Sequence, residues 1–365
     1  MRLLLLAFLL LLLSCSQSVS DTIKVGGLFA LTSYGANWGT AEKQGVELAI
    51  DEINVVGGIN GKKLALISED TQSDPTKTVT AFQKLTDMDG VSYVIGATWE
   101  ASTTSIAPNA QSKGTLLISP SSYKGIQDQH SNHLFSTYPP YAYEIKYLKP
   151  YFEKEGLKRF VVVYDQEVFS EIMKDIFLEE ATKNGWDILD TFAHSKEDLD
   201  YRTVLLKIKQ LNPDAVYIPF AAEVPNKGEF MKQMRELGIQ LPIVSTSSTE
   251  SSPLLENYGI AVEGIIYPYP AQTPKYTEFI EKFKQRYRYN PDSPSAATAY
   301  DAMHLLVEAL KSGAQTPQEA ANYLHSLKDY SGVSNVITFD KDGIVSDKEH
   351  IIKTVKNKQF SLVDL

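Results

Sequence analysis

Two hydroxyl-rich loops carry the most chemistry in this sequence. Thr98-Trp99-Glu100-Ala101-Ser102-Thr103-Thr104 follows the apolar run Val91–Gly96 and leads into a helix. Ser119-Pro120-Ser121-Ser122-Tyr123 follows the next apolar run, Thr115–Ser119. Exposed N–H groups at a helix start attract an anion, and serine hydroxyls add donors. Ser102 and Ser122 also have a purely structural alternative, because Ser and Thr are favoured helix caps. Aromatic residues stand in comparable loops. Trp38 lies in the small, polar stretch Thr32–Gly39, and Trp99 lies within the first hydroxyl loop. Tyr141 and Tyr143, Phe169, and Phe220-Ala221-Ala222-Glu223 come later, as does Ser245-Thr246-Ser247-Ser248. Trp and Tyr offer apolar area with a polar tip, which suits a wall around a small molecule. The candidate ligand contacts are therefore Trp38, Trp99, Glu100, Ser102, Ser119, Ser121, Ser122, Tyr141, Phe169, Phe220, Glu223 and Ser247.

A catalytic reading finds less support. His130 and His133 are spaced H-x-x-H, but they lie in a polar segment with no third ligand nearby, and a catalytic zinc normally needs three. His304 stands among helix-forming apolar residues. G-x-S-x-G, P-loop and G-x-G-x-x-G patterns are absent from the sequence. Acidic residues are many, yet no spacing singles out an acid/base pair. The pattern points to binding without chemistry, with no metal and no cofactor. The formal net charge of −10 argues against nucleic acid and against an anionic membrane surface as partners.

The positioning elements are legible as alternating strand and helix signals. Ile23–Phe29 reads as a strand; Val46, Ala49, Ile50 and Ile53 then recur at i, i+3, i+4 and i+7 of a helix that Gly57-Gly58 ends. Asn60-Gly61 is a tight-turn signal into the strand Lys63–Ile67, and Asp74-Pro75 opens another helix. The rhythm restarts with the strand Phe160–Asp165 and a helix through Ile172 and Ile176. Strands at Trp186–Leu189, Ala215–Ile218, Pro242–Val244 and Gly264–Tyr267 follow, with helices at Arg202–Leu211 and Phe230–Leu237. Such alternation builds parallel sheets covered on both faces, and right-handed crossovers make each set doubly wound. About 350 residues exceed one compact core, so two lobes are expected. In such sheets ligands bind beyond the carboxyl ends of the strands, which is where the loops above fall.

The first residues form a separate unit. Met1-Arg2, an apolar run and small residues before Ser16-Gln17-Ser18 make a secretory signal. Its roughly eleven apolar residues fall short of the ~20 that a bilayer span requires. The ending Leu12-Leu13-Ser14-Cys15 resembles a bacterial lipobox, with Cys15 the only cysteine in the chain. The resemblance implies that residues 1–14 are removed, that Cys15 becomes the lipidated first residue, and that a tether over 15–22 follows. An ordinary cleaved leader with an incidental cysteine is the alternative. Either way, a lone cysteine leaves no intramolecular disulfide, so the lobes must be stable on packing alone.

Taken in order, several motifs resemble type I periplasmic binding proteins of the leucine/isoleucine/valine-binding branch. They are Gln44–Asn54 followed by Gly57-Gly58-Ile59-Asn60-Gly61-Lys62, then Ser68-Glu69-Asp70, Ser73-Asp74-Pro75, Val94-Ile95-Gly96 and Leu117-Ile118-Ser119-Pro120. Arg235-Glu236-Leu237-Gly238, Glu263-Gly264 and Ala299-Tyr300-Asp301-Ala302 continue the series. The resemblance implies an α/β Venus flytrap: two doubly wound parallel-sheet lobes on a three-strand hinge, one lobe spanning 21–138 plus 268–338 and the other 139–267 plus 339–365. It implies capture of an amino acid, or a related small carboxylate or amide, for an ABC permease and ATPase complex, outside the cytoplasm in the periplasm or at the cell surface. A sensory lipoprotein reporting to a membrane receptor is the other reading. By the same resemblance, the two hydroxyl loops hold the ligand carboxylate and Trp38 contacts the ligand. Two departures stand out. Amino-acid binders of this family commonly place an acid in the loop that here reads Ser245–Ser248, although Glu250 is close. Trp99-Glu100 replaces a serine-rich stretch. Glu100 or Glu223 could supply the missing carboxylate.

Overall fold

The computed structural model describes residues 22–122, 132–195, 197–220, 225–291, 293–346 and 349–364. Cys15, His130 and Glu223 lie outside the described residues. Among the described residues no helix is long and apolar enough to cross a membrane.

Local signals act as the sequence predicts. Strand β1 (Ile23–Phe29) leads into helix α1 (Ala36–Val55), which stops before Gly57 and Gly58, at φ +104° and +79°. Across Asn60-Gly61, Ile59 and Lys62 exchange two 2.9 Å backbone hydrogen bonds, and β2 (Leu64–Asp70) follows. The Asp74 carboxylate accepts from Lys77 N at 2.9 Å and Pro75 takes the first turn of α2 (Pro75–Gln83). Strand β3 (Tyr93–Gly96), α3 (Glu100–Lys113), β4 (Leu116–Ser119) and β5 (Leu134–Ser136) complete the first series. The sheet order is β2-β1-β3-β4-β5, all parallel.

The second series repeats this winding. It comprises α4 (Tyr141–Glu155), β6 (Arg159–Asp165), α5 (Val168–Asn184), β7 (Asp187–His194), α6 (Arg202–Leu211), β8 (Ala215–Tyr217), α7 (Asn226–Glu236), β9 (Ile243–Val244), α8 (Ser252–Tyr258) and β10 (Ile266–Pro270). Its parallel part runs β10-β9-β8-β6-β7, the order of the first sheet read from the other end. After α9 (Lys275–Tyr287), α10 (Ser295–Lys311), α11 (Pro317–Ser326) and the short pair β11 (Tyr330–Ser331) and β12 (Val336–Ile337), the chain returns. There β13 (His350–Lys356) adds antiparallel to β10, and β14 (Gln359–Leu362) adds antiparallel to β13. Both faces of each sheet carry an apolar core.

The ladders put two of the three passages between sheets later than the sequence suggests. β10 stays paired in the second sheet through Pro270, opposite His350. Phe339–Val345 belongs with the first sheet, because Ile344 bridges Ser136 and Phe339 bridges Val345. The first two passages therefore run through 137–140 and 271–274, and the third leaves the first sheet after Val345 and has reached the second at His350. Ala271 N donates to the Glu349 carbonyl at 2.9 Å and ties the last two together.

The first lobe is closed by α10, which lies against α1. Gly45 makes this possible: a Cβ there would stand 2.2 Å from the Ala296 carbonyl oxygen. Replacing Gly45 by Ala should therefore cost roughly 1–3 kcal/mol of stability, because two backbones would have to separate in a packed core. Urea unfolding of Gly45→Ala beside the wild type measures this.

Glu42, also on α1, is wholly buried. Burial outweighs the pull of the nearby Thr98 and Ser295 hydroxyls and pushes its carboxyl up to about 8, and neither oxygen has a partner of good hydrogen-bond geometry among the described residues. The native state thus keeps a proton that the unfolded chain releases. Its contribution is full below about pH 4.5 and is lost as pH rises towards 8. Between about pH 5 and pH 8, Glu42→Gln should lose less stability than the wild type, by about 1–4 kcal/mol, in paired denaturant titrations. Equal losses would show that Glu42 does not carry the trend.

Candidate functional site

The first sheet reverses its winding between β1 and β3, and the loops after these strands diverge there. This is where open α/β sheets receive ligands. Ala30 N donates to Thr98 Oγ1 at 2.9 Å and ties the two loops together. The Asp70 carboxylate accepts from Leu31 N (2.9 Å), Thr32 Oγ1 (2.6 Å) and Gln72 N (2.8 Å). Burial opposes its ionisation, but these hydrogen bonds win and hold the carboxyl below its usual range.

Trp99 is the residue just before α3, at its N-cap, and it is the centre of an aromatic group. Its ring centroid lies 5.6 Å from that of Trp38 and 6.0 Å from that of Tyr34. Gly35 allows the packing, since a Cβ there would meet the Trp99 indole at 2.6 Å. Trp38 is half-buried in the first turn of α1. Tyr34 is a member of this group that the sequence reading missed; its only signal was its place in the same loop.

The four candidate serines divide into two kinds. Ser119 Oγ and Ser121 Oγ reach the Ala97 carbonyl at 3.3 Å and each other at 3.1 Å, and Ser119 also meets Thr103 Oγ1. Their hydroxyls hold the loop together. Ser102 and Ser122 are equally buried, at 1% exposure each, yet neither hydroxyl has a hydrogen-bond partner among the described residues. The buried Trp99 indole N–H has none either. Ser102 does not cap the helix: α3 starts from Trp99, with no side-chain cap. Glu100 is the first residue of α3 and is partly exposed.

In the second lobe the winding reverses between β6 and β8. Tyr141 and Phe169 meet edge to face at 5.4 Å, and Tyr141 lies 6.1 Å from Tyr138. Phe220 corrects an expectation. Its ring is fully buried beside Tyr201 and Phe230 in the lobe core, so it is packing, not an exposed wall. What it turns to the neighbouring loop is its carbonyl, which accepts from Ser248 Oγ at 3.0 Å.

The Ser245–Ser248 loop is heavily tied. Ser245 Oγ donates to the Ile218 carbonyl at 2.7 Å and Thr246 meets Ser248 at 2.7 Å. Ser247 N and Oγ donate to Glu144 at 3.0 and 2.5 Å, and Tyr138 OH lies 3.1 Å from Ser247 Oγ. Lys227, also fully buried, donates to Ser248 Oγ and Thr249 Oγ1 at 3.1 Å each. Glu250 is occupied elsewhere: it pairs with Lys353 at 2.5 Å and accepts from Tyr267 OH at 3.0 Å. Glu144 and Lys227 were missed at the sequence level. Each is a charged residue on an apolar helical stripe, Glu144 with Leu148 and Tyr151, Lys227 with Phe230, Met231 and Met234. That conflict of polarity and position was the available signal. His133 is buried and its Nδ1 has no partner among the described residues; burial lowers its pKa.

The geometry is that of two lobes presenting polar loops from equivalent sheet edges, and known proteins share it. A family model described as periplasmic binding protein matches residues 22–357. The Leu/Ile/Val-binding protein of Escherichia coli K12 is 26% identical over 349 residues, which cover 93% of this chain and 92% of that one. The branched-chain amino acid transporter substrate-binding protein LivJ from Streptococcus pneumoniae, solved in complex with isoleucine, superposes with a TM-score of 0.83 at 27% identity, covering 94% of this chain and 99% of that one. A periplasmic binding protein type 1 from Bordetella pertussis shares the fold, with a TM-score of 0.81 at 21% identity over 94% of this chain and all of its own. With two parallel sheets wound alike and the family model spanning nearly its whole length, the chain belongs to the periplasmic binding protein family, whose members bind solutes and do not transform them.

Proposed function

We propose that this protein is the extracytoplasmic receptor of an ABC importer and that it captures an amino acid of the branched-chain type, or a closely related small carboxylate, between its lobes. One observation carries the reading. Three buried donors, the Ser102 and Ser122 hydroxyls and the Trp99 indole N–H, meet no protein acceptor among the described residues. They stand at the carboxyl edge of the first sheet, two of them at the start of α3, where helix N–H groups favour negative charge. Buried donors are ordinarily satisfied, so an unsatisfied set at a cleft edge is matched to an anion that arrives from outside. The Escherichia coli relative, named for binding leucine, isoleucine and valine, and the Streptococcus pneumoniae protein solved with isoleucine support the ligand class.

Capture follows from differential contact. A ligand held by the first lobe gains further contacts from Tyr141, Phe169 and Ser247 only when the lobes close, and those extra contacts favour the closed state. Trp38 and Tyr34, packed around Trp99, form the apolar wall beside the anion site. In this scheme closure bends the chain at the passages between the sheets.

Calorimetry with leucine, isoleucine and valine tests the reading directly. Ser102→Ala and Ser122→Ala should each weaken binding by ~1–3 kcal/mol, the range for hydrogen bonds to charged groups, while melting temperature hardly moves because neither hydroxyl supports the fold. Unchanged affinity in both variants would remove these loops from the site.

Anchorage is the second part of the proposal. Cys15, after Leu12-Leu13-Ser14, carries the lipid and holds the receptor at the membrane surface. The wild type should partition with membranes and Cys15→Ser should not; a freely soluble wild type with unmodified Cys15 by mass spectrometry would exclude the anchor.

A further inference from the structure

Lobe 2 holds a buried carboxyl that no ion pair accounts for. Glu144 sits in the first turn of α4, fully buried, and both of its oxygens accept from a single residue, Ser247. Among the described residues no Lys, Arg or His lies within ion-pair distance of it. Lys227 pulls on it only from farther away, while its own ammonium donates to Ser248 and Thr249. Burying a carboxylate without a cation is costly, so such a group either keeps its proton or is matched by a cation. Burial, the main cause, lifts the Glu144 carboxyl to about 7 against the opposing hydrogen bonds from Ser247. The group is therefore close to ionising at neutral pH and would ionise fully beside a positive charge.

The arrangement around Ser247 shows where that charge would come from. The Ser247 hydroxyl spends its proton on Glu144 at 2.5 Å, so its oxygen can only accept from other groups. Tyr138 OH, 3.1 Å away on the first passage between the lobes, therefore donates to one lone pair, and a second lone pair remains. Ser247 stands just beyond β9 at the carboxyl edge of the second sheet, the edge that the cleft uses. A neutral hydroxyl becomes a strong acceptor when a carboxylate holds its proton.

We infer that Glu144, acting through Ser247, is the charge-selecting residue of the second lobe: the pair receives the ammonium of a zwitterionic ligand whose carboxylate lies on the first lobe. Glu144 is a positioning residue in this scheme, since Ser247 makes the contact. The inference rests on the amino-acid reading of the preceding section and adds which groups of this chain recognise the ammonium.

The test compares L-leucine with its deaminated analogue 4-methylpentanoate by calorimetry. In the wild type leucine should bind more tightly. Glu144→Gln should weaken leucine about tenfold or more and leave 4-methylpentanoate within about threefold, because only one of the two carries the charge that Glu144 serves. An equal loss for both ligands would mean a structural role only, and undiminished leucine binding would remove Glu144 from recognition; either overturns the inference. Glu144→Gln/Ser247→Glu, which moves the carboxylate onto the loop, should recover the preference for leucine, and a folded double variant without that preference counts against it. Glu144→Asp keeps the charge and should keep the preference even if Glu144→Gln does not fold; loss of it there also overturns the inference. A wild type that binds 4-methylpentanoate but no amino acid defeats the ligand class itself, and the inference with it. A wild type that binds leucine, with Glu144→Gln unaffected, defeats the role of Glu144 alone.

Discussion

The parallel pairing of β1 with β2 on one side and β3 on the other is the constraint on which the rest depends. A chain wound outward from a central strand must reverse direction there, and its loops part at the reversal. The register is direct, with Gly26 opposite Ile67 on one side and Val94 on the other. The second sheet repeats the arrangement with β6 between β7 and β8. Each lobe therefore opens one crevice at its carboxyl edge. No sequence repeat announces this symmetry, because the winding is specified by the order of elements and not by their side chains.

Within that frame the polar groups fall into two populations. Thr98, Thr103, Ser119 and Ser121 bond to backbone and to one another, and make the first loops rigid. Ser245, Thr246 and Ser248 do the same in the second lobe. Ser102, Ser122 and the Trp99 indole are held in that rigid setting without partners among the described residues. Rigid surroundings with unsatisfied donors amount to pre-organisation, which lowers the ordering cost on binding. A stable fold with local violations of polar satisfaction is the expected mark of a functional site.

The passages between the lobes are bound closely to both sides. Thr137 Oγ1 lies 3.2 Å from the Ser119 carbonyl and 3.0 Å from that of Thr298. Asp301 on α10 accepts from Val333 N and Ser334 N at 2.8 Å each, fixing the segment before β12. Tyr138 reaches across to Ser247. The loop with Ser119, the first passage and the loop with Ser247 thus form one continuous path, so that movement of the lobes and occupation of the cleft bear on the same residues.

The sequence by itself determined the fold class and most strands and helices of the two windings, and it pointed to the hydroxyl loops of the first lobe as candidates. Short-range signals suffice for these: apolar periodicity, the Asp74-Pro75 helix start, the Asn60-Gly61 turn, and serines placed just after buried strands. It could not separate Ser102 and Ser122 from Ser119 and Ser121, because a hydroxyl's role depends on which carbonyls lie around it in space. It also placed two of the passages early, since strand ladders and not composition decide where the chain leaves a sheet. Phe220 looked like a cleft wall from its loop position and became core when Tyr201 and Phe230 packed on it. Glu144 went unnoticed because its meaning arises only when Ser247, about a hundred residues away, is brought against it. Local structure is written in neighbours along the chain; charge balance and hydrogen-bond satisfaction are properties of neighbours in space, and only the folded molecule decides those.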